Sequence, residues 1–264
     1  MDTQNYWLDK AAVVTGGARG QGAAISLQLM RAGAHVHVLD RLPSSDEAWK
    51  ELNHNALGLA GKLTVHAMDV ADPDAWRTLE TKLKASAEPL LALVNNAGIT
   101  GARNTVTNTD LDEWNRVLQV NLTGSFLGIK HLAPLMPKGG SIVSISSTVG
   151  LTGYFSAAYS TSKWALRGLT KSAAMELASA GVRVNCICPG VVDTEMIRTN
   201  QKLFDALQHI TPMGHMASAD QLADAMFFLL GPQSAYITGV DLAVDGGLTS
   251  GGIFWPVGKA VGVL

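Results

Sequence analysis

Short apolar runs rich in β-branched residues alternate along this chain with longer stretches of helical period. Seven of the runs read as strands, at 11–15, 35–39, 63–67, 90–94, 141–145, 182–186 and 239–243. The segments between them are long enough for the helical crossovers that parallel strands require. Right-handed crossovers place helices on both faces, so the pattern predicts an α/β protein built on a doubly wound parallel sheet of about seven strands. Two looser stretches, 194–218 and 246–264, each follow a predicted strand, and ligands in open α/β sheets bind beyond the carboxyl ends of strands. The first is either a substrate lid or an ordinary surface connection. No repeat, low-complexity tract or linker divides the sequence, and 1–264 is expected to be a single domain.

Composition narrows the partners. Of 264 residues, 47% are hydrophobic and 16% charged, enough apolar material to cover a sheet on both faces. So few charges also suggest that some helix faces meet other subunits. The formal net charge is -2 with lysine and arginine scattered, which leaves no electrostatic footprint for nucleic acid or an anionic membrane. The N-terminal stretch lacks a basic region followed by an apolar core, and no run reaches the ~18 apolar residues that cross a bilayer. A soluble, cytoplasmic protein is expected. Cys186 and Cys188 lie two apart on one face of a strand, which suits reduced, buried thiols better than a disulfide or a metal cage. No cluster with recognisable metal-ligand spacing is visible, and no metal is expected.

Directly after the first strand comes Thr15-Gly16-Gly17-Ala18-Arg19-Gly20-Gln21-Gly22, and a helical run follows from Ala23. Glycines there permit a tight turn, let the backbone approach a pyrophosphate and let the helix pack close to the strand, with its N-terminus facing the anion. This strand-turn-helix context makes the sheet Rossmann-type and marks Gly16, Arg19, Gly20, Gln21 and Gly22 as dinucleotide-binding candidates. Asp40, 18 residues beyond Gly22 at the end of the second strand, is placed to hydrogen-bond the adenosine ribose hydroxyls. A carboxylate there repels a 2′-phosphate and favours NAD over NADP, whereas Arg19 and Arg41 argue mildly the other way.

Tyr159 and Lys163 stand four apart in Tyr-Ser-Thr-Ser-Lys, so a helix stacks them on one face. A phenol with an ordinary pKa of about 10 is a poor base at neutral pH, but a neighbouring ammonium favours the phenolate and moves that pKa toward the working range. Tyr159 is thereby a candidate to take a proton from an alcohol or give one to a ketone.

These residues, with others in the same order, resemble the short-chain dehydrogenases/reductases over nearly the whole chain, from Thr15 to about Gly247. The glycine turn is similar to the family's cofactor loop, Asn95-Asn96-Ala97-Gly98 to its motif after strand four, and Ser147, Tyr159, Lys163 and Asn121 to its catalytic set. Pro189-Gly190 followed by Val191-Val192-Asp193-Thr194 resembles the segment that seats the nicotinamide. The resemblance implies Tyr159 as general acid/base and Ser147 as holder of the substrate oxygen, with Ser146 the fallback among the clustered hydroxyls. It implies that Lys163 lowers the Tyr159 pKa and holds the nicotinamide ribose, and that the Asn121 carbonyl holds a relay water. Asp69 and Val70 beside the adenine, Asn96, Ala97 and Gly98 along the ribose, and Thr194 at the carboxamide complete its cofactor contacts, with Val192 and Met196 beside them.

Val149, Tyr154, Phe155, Met196 and Ile197 are candidate substrate contacts, with His215 and Met216 also near, and they suit an apolar secondary alcohol or ketone. Residues 162–170 resemble the bacterial hydroxysteroid and secondary-alcohol branch more than the 3-oxoacyl-carrier-protein reductases, which remain the alternative. A non-catalytic dinucleotide-binding module is a third reading, disfavoured because all four catalytic-set residues are present. The family also implies a homotetramer with contacts on helices around 112–135 and 158–180, and the apolar tail 252–264 is expected to be buried against a subunit or a pocket.

Overall fold

The computed structural model describes residues 5–193 and 201–264. Seven parallel strands, β1 (Ala11–Thr15), β2 (His35–Asp40), β3 (Lys62–Ala67), β4 (Leu90–Asn95), β5 (Ser141–Ile145), β6 (Arg183–Pro189) and β7 (Asp241–Val244), form one sheet in the order β3-β2-β1-β4-β5-β6-β7. Every ladder is parallel, so every connection crosses over the sheet. Strand order reverses between β1 and β4, which opens a crevice at their carboxyl ends. The expected strands are all present. The largest boundary difference is at β6, which starts a residue later and runs on to Pro189, because β7 pairs with its second half from Cys186 onward. Cys186 and Cys188 within it are free and buried.

The main helices are α1 (Gly20–Arg31), α2 (Glu47–Ala56), α3 (Pro73–Lys84), α4 (Leu111–Leu118), α5 (Gly124–Leu132), α6 (Ala157–Leu177), α7 (Gln201–Ile210), α8 (Ala219–Leu230), α9 (Leu248–Gly251) and α10 (Phe254–Ala260). Residues of the five central strands, β2, β1, β4, β5 and β6, feed two buried clusters on opposite faces of the sheet. Val36 and Val38 join Ile25, Leu29 and Met226 on the α1/α8 face, while Val13 and Leu39 join Trp76, Leu79 and Leu132 on the α3/α5 face. Two charged side chains, Lys163 and Arg183, are buried among the described residues. Arg183 donates to the carbonyls of Leu229, Leu230 and Gly231, a cation at the carboxyl end of α8. No helix among the described residues is long and apolar enough to cross a membrane. The tail does not reach a buried position within the protomer, since Ile253, Phe254, Val261 and Val263 of the α9–α10 region are exposed.

Candidate active site

The cleft at the sheet's switch point holds about 460 Å³ and is walled by residues from five loops. Its floor is backbone. Gly16, at φ +58, turns the chain out of β1, and a side chain on Gly22 would lie 2.2 Å from the Gly16 carbonyl oxygen. Only hydrogen fits there. The loop after β4 is clipped to this turn: the Thr15 hydroxyl accepts the Asn96 and Ala97 amides at 3.0 Å, and Asn96 Nδ2 donates to the carbonyls of Thr15 and Gly16. On the far wall Asp69 accepts the Ala71 amide, and Trp76, fully buried, donates its indole N–H to the Val70 carbonyl at 2.8 Å.

The polar groups of the cleft fit a dinucleotide. Helix α1 begins at Gly20 with no side-chain cap and no acidic residue in its first turn, so its leading N–H groups present positive potential to the loop. Gln21 lines the cleft with a buried Oε1 that has no hydrogen-bond partner. Asp40 is held by the amides of Ala18 and Leu42 at 3.3 and 3.4 Å, while Arg19 and Arg41 stand exposed on the same rim. Gly98 and Val192 also line the cleft. Gly22, Pro189 and Gly190 do not line it but shape it, Gly190 by lying too close to Asp245 for a side chain. Asp193, from the Val191-Val192-Asp193-Thr194 run, also lines it, while Leu39, Met68, Ile99, Val120 and Ala219 complete the lining and were not expected from the motifs. Each stands beside a loop or strand residue whose own signal was polar or glycine, and apolar neighbours of that kind carry none.

The candidate reacting group lies behind this wall. A side chain on Gly98 would come within 3.5 Å of Lys163 Nζ, so the lysine borders the cleft through a glycine. Lys163 is buried in α6, donates to the Ile145 carbonyl at 2.7 Å and lies 5.6 Å from the Tyr159 ring centre. Ser147 and Ser146 part company. Ser146 donates to the Lys163 carbonyl at 2.8 Å inside the core, whereas Ser147 stands at the strand end, accepts a weak 3.3 Å bond from the Val149 amide and is hydrogen-bonded to the Tyr159 phenol. Asn121 sits in a π-helical turn, Gln119–Thr123. Its amide group binds both backbone groups of Ile99 and donates to Ser162 Oγ, which donates to the Tyr159 carbonyl, while its own carbonyl accepts the Ser125 hydroxyl. Ser162 was missed by sequence reasoning, although it lies inside the Tyr-Ser-Thr-Ser-Lys run.

The electrostatics depart from expectation. Burial pushes the Tyr159 phenol above its ordinary range, the hydrogen bond with Ser147 draws it partly back and Tyr154 adds to the rise; Lys163 is not among the causes. The ammonium is directed to the Ile145 carbonyl, and burial lowers its own pKa to about 8. Tyr154 meets Tyr159 edge-on at 6.5 Å and packs at a tilt against Phe155 at 4.1 Å, with both outer rings exposed. Val149 is half-buried beside Ser147. His215 instead lines a separate cavity of about 110 Å³ beyond β6 and β7, and Met216 is packed away. Thr194, Met196 and Ile197 lie outside the described residues, as does the start of the 194–218 segment, which continues as α7.

A doubly wound sheet whose switch-point cleft accepts a dinucleotide, bordered by a lysine, a tyrosine and an available serine, defines a class of dinucleotide-dependent oxidoreductases. Comparison with known proteins makes this specific. A family model described as Enoyl-(Acyl carrier protein) reductase matches residues 16–249. Trans-4-hydroxycyclohexanecarboxylate dehydrogenase of Sinomonas cyclohexanicum is 39% identical over 92% of this chain and 94% of its own length. The 3-alpha-(or 20-beta)-hydroxysteroid dehydrogenase of Mycobacterium tuberculosis is 39% identical over 92% and 91%, and the cyclopentanol dehydrogenase of Comamonas testosteroni 35% over 92% and 98%. A crystal structure described as a short-chain dehydrogenase/reductase from Burkholderia xenovorans superposes with a TM-score of 0.84 at 31% identity, covering 92% of this chain and 98% of that one. The chain belongs to the short-chain dehydrogenase/reductase family. It is an oxidoreductase, and its family implies a nicotinamide dinucleotide as cofactor.

Proposed function

We propose that this enzyme interconverts an apolar alicyclic secondary alcohol and its ketone, with NAD as the cofactor. The observation that carries the reading is the shared placement of Ser147 and Tyr159, hydroxyl beside phenol, with Lys163 bordering the cofactor cleft through Gly98. The relatives named above are dehydrogenases of ring-borne alcohols, and the mutually packed, exposed Tyr154 and Phe155 offer a ring an apolar wall next to the phenol.

Gly16, Gly20, Arg19 and the α1 N-terminus would hold the pyrophosphate, Asp40 the adenosine ribose, and Lys163 the nicotinamide ribose, with Asp69, Val70 and Asn96 to Gly98 along the walls. The bound nicotinamide supplies a hydride acceptor or donor. Ser147 donates a hydrogen bond to the substrate oxygen and offsets charge gathering there. Tyr159 takes the hydroxyl proton during oxidation and returns it during reduction. Its raised pKa keeps the phenol protonated at neutral pH, so oxidation should accelerate as pH rises above 7 while reduction does not. The π-turn around Asn121 and its bond through Ser162 fix the backbone of Tyr159, and the Asn121 carbonyl is the relay position behind Lys163. NAD rather than NADP follows from the fixed carboxylate of Asp40 against the exposed Arg19 and Arg41. The exposed apolar tail fits burial against other copies in a tetramer.

Absorbance at 340 nm with cyclic alcohols, hydroxysteroids and β-hydroxyacyl thioesters tests the substrate class; activity confined to NADP and thioesters would assign a ketoacyl reductase instead. Tyr159→Phe should bind NAD as the parent does and turn over at least ~100-fold more slowly, the scale of a lost general acid/base. Unchanged turnover would reject Tyr159 as the proton carrier.

A further inference from the structure

At the end of β2 opposite Asp40 stands a group of side chains that the reaction does not use. His35 and His37 lie two apart in the strand, so both imidazoles leave the sheet on the face covered by α3, with ring centres 4.4 Å apart. Glu88 precedes β4, two strands away. Ala11 of β1 pairs with His35 on one side and Leu90 on the other, and its small methyl lets Glu88 reach across. One nitrogen of each imidazole and one Glu88 carboxylate oxygen lie within 4.8 Å of one another.

Around this trio the hydrogen bonds are nearly all assigned. His35 Nε2 and Thr64 Oγ1 are 2.8 Å apart, His35 Nδ1 contacts the Glu88 carboxylate, and His37 Nδ1 lies 3.1 Å from His66 Nε2. His37 Nε2 is left over, buried and without a hydrogen-bond partner, in a residue only 8% exposed. A buried polar atom in that state calls for a partner or carries a desolvation penalty. The nearby cations are Lys62, whose exposed Nζ lies 3.4 Å from the other Glu88 oxygen, and Lys82, which acts on His66 from α3.

We propose that His35, His37 and Glu88 form a binding site for a divalent transition-metal ion, Zn²⁺ in the first instance, supported by Thr64 and His66. Two imidazoles and a carboxylate are the donor set such ions take, at about 2.0–2.2 Å, with a fourth position open to water. His35 donates Nε2–H to Thr64 and turns Nδ1 toward the ion; His37 donates Nδ1–H to His66 and turns the orphaned Nε2 toward it. Each ligand imidazole thereby has the outer hydrogen bond that fixes its tautomer. Bound there, the ion ties β2 across β1 to the entry of β4 and stiffens the strands whose other ends form the cofactor cleft.

The test uses the full chain, stripped with a chelator, dialysed and titrated with Zn²⁺ alone against a chromophoric competitor, with Co²⁺ absorption as the signature of a four-coordinate nitrogen and oxygen site. One equivalent per chain and a raised Tm are expected. Glu88→Gln, at the sheet's rim where the core is undisturbed, and His37→Gln should each weaken binding more than Thr64→Val, for which a roughly 10–100-fold loss is the scale of an outer-shell partner. No uptake by the parent protein, or uptake unchanged in Glu88→Gln, overturns the proposal; circular dichroism of each variant separates lost ligands from lost fold.

Discussion

The cofactor cleft and the reacting group sit side by side but are built from different material. The cleft is made largely of backbone, with glycines admitting close approach and Thr15, Asn96 and Trp76 holding loops together from behind. The reacting group is made of side chains whose chemistry depends on burial: a phenol raised, an ammonium lowered, one serine available and its neighbour consumed. A change in the first should therefore act through shape and impair binding together with stability. A change in the second should alter chemistry or pH response and leave the fold in place.

The sharpest break is Gly22→Ala. Its methyl would meet Gly16 O at 2.2 Å, Asn96 Nδ2 at 2.6 Å and the Gly17 Cα at 2.8 Å, and two of the three are backbone. Overpacking of this kind costs typically 1–3 kcal/mol. Because the atoms displaced are the cleft floor, NAD affinity measured by fluorescence titration should fall by about 5- to 150-fold, given that a factor of ten is 1.4 kcal/mol. Gly20→Ala is the control. Nothing lies within 4 Å of that position, although its φ of +58 disfavours any side chain by about 1–2 kcal/mol. Equal losses in the two variants would show that conformation, not close approach, makes the cleft.

Asp40→Asn should act more mildly and on selectivity alone. The amide keeps the shape and its single oxygen can still accept from Ala18 or Leu42, but it removes the charge that opposes a 2′-phosphate. A hydrogen bond to a charged group contributes about 1.5–3 kcal/mol, so the ratio of kcat/KM for NAD over NADP should fall by about tenfold or more. If the ratio holds, the selector lies elsewhere on the rim, with Arg19 and Arg41 the residues to vary next.

The same contrast governs how much was legible before the structure. The cleft was readable because its demands are local: a strand, a run of glycines, a helix, and an acid at the end of β2. The spacing of Ser147 and Tyr159 pointed to Ser147, and in the fold Ser146 is the one committed to the Lys163 carbonyl. The direction of the Tyr159 shift was not legible. Sequence places an ammonium near a phenol, but only the fold shows the ammonium turned to Ile145 and the ring buried. Ser162, the apolar lining at Met68 and Val120, and the meeting of Glu88 with His35 depend on approaches between distant segments that no spacing encodes. His35 and His37 carried no metal-ligand spacing by themselves, because their third partner, Glu88, lies beyond a strand that separates them.

Lys163 gives the smallest effect and the one that best tests the reacting half, because its sign differs from that of most ion pairs. Its folded pKa is about 8 against an ordinary value of 10.5, so between those values the unfolded chain binds more protons than the folded one. Stability should therefore rise as pH rises through this window: below pH 8 the fold carries a buried ammonium, and above it a neutral amine. Between pH 7 and pH 9 the gain is about 1 kcal/mol by linkage. Lys163→Met removes the titration and should remove that slope, while freeing the Ile145 carbonyl and lowering turnover. Urea unfolding of both proteins at pH 7 and pH 9 reads the difference directly. A parent protein that loses stability over this interval, relative to the variant, would mean that the ammonium is stabilised by its surroundings and that burial does not set its pKa.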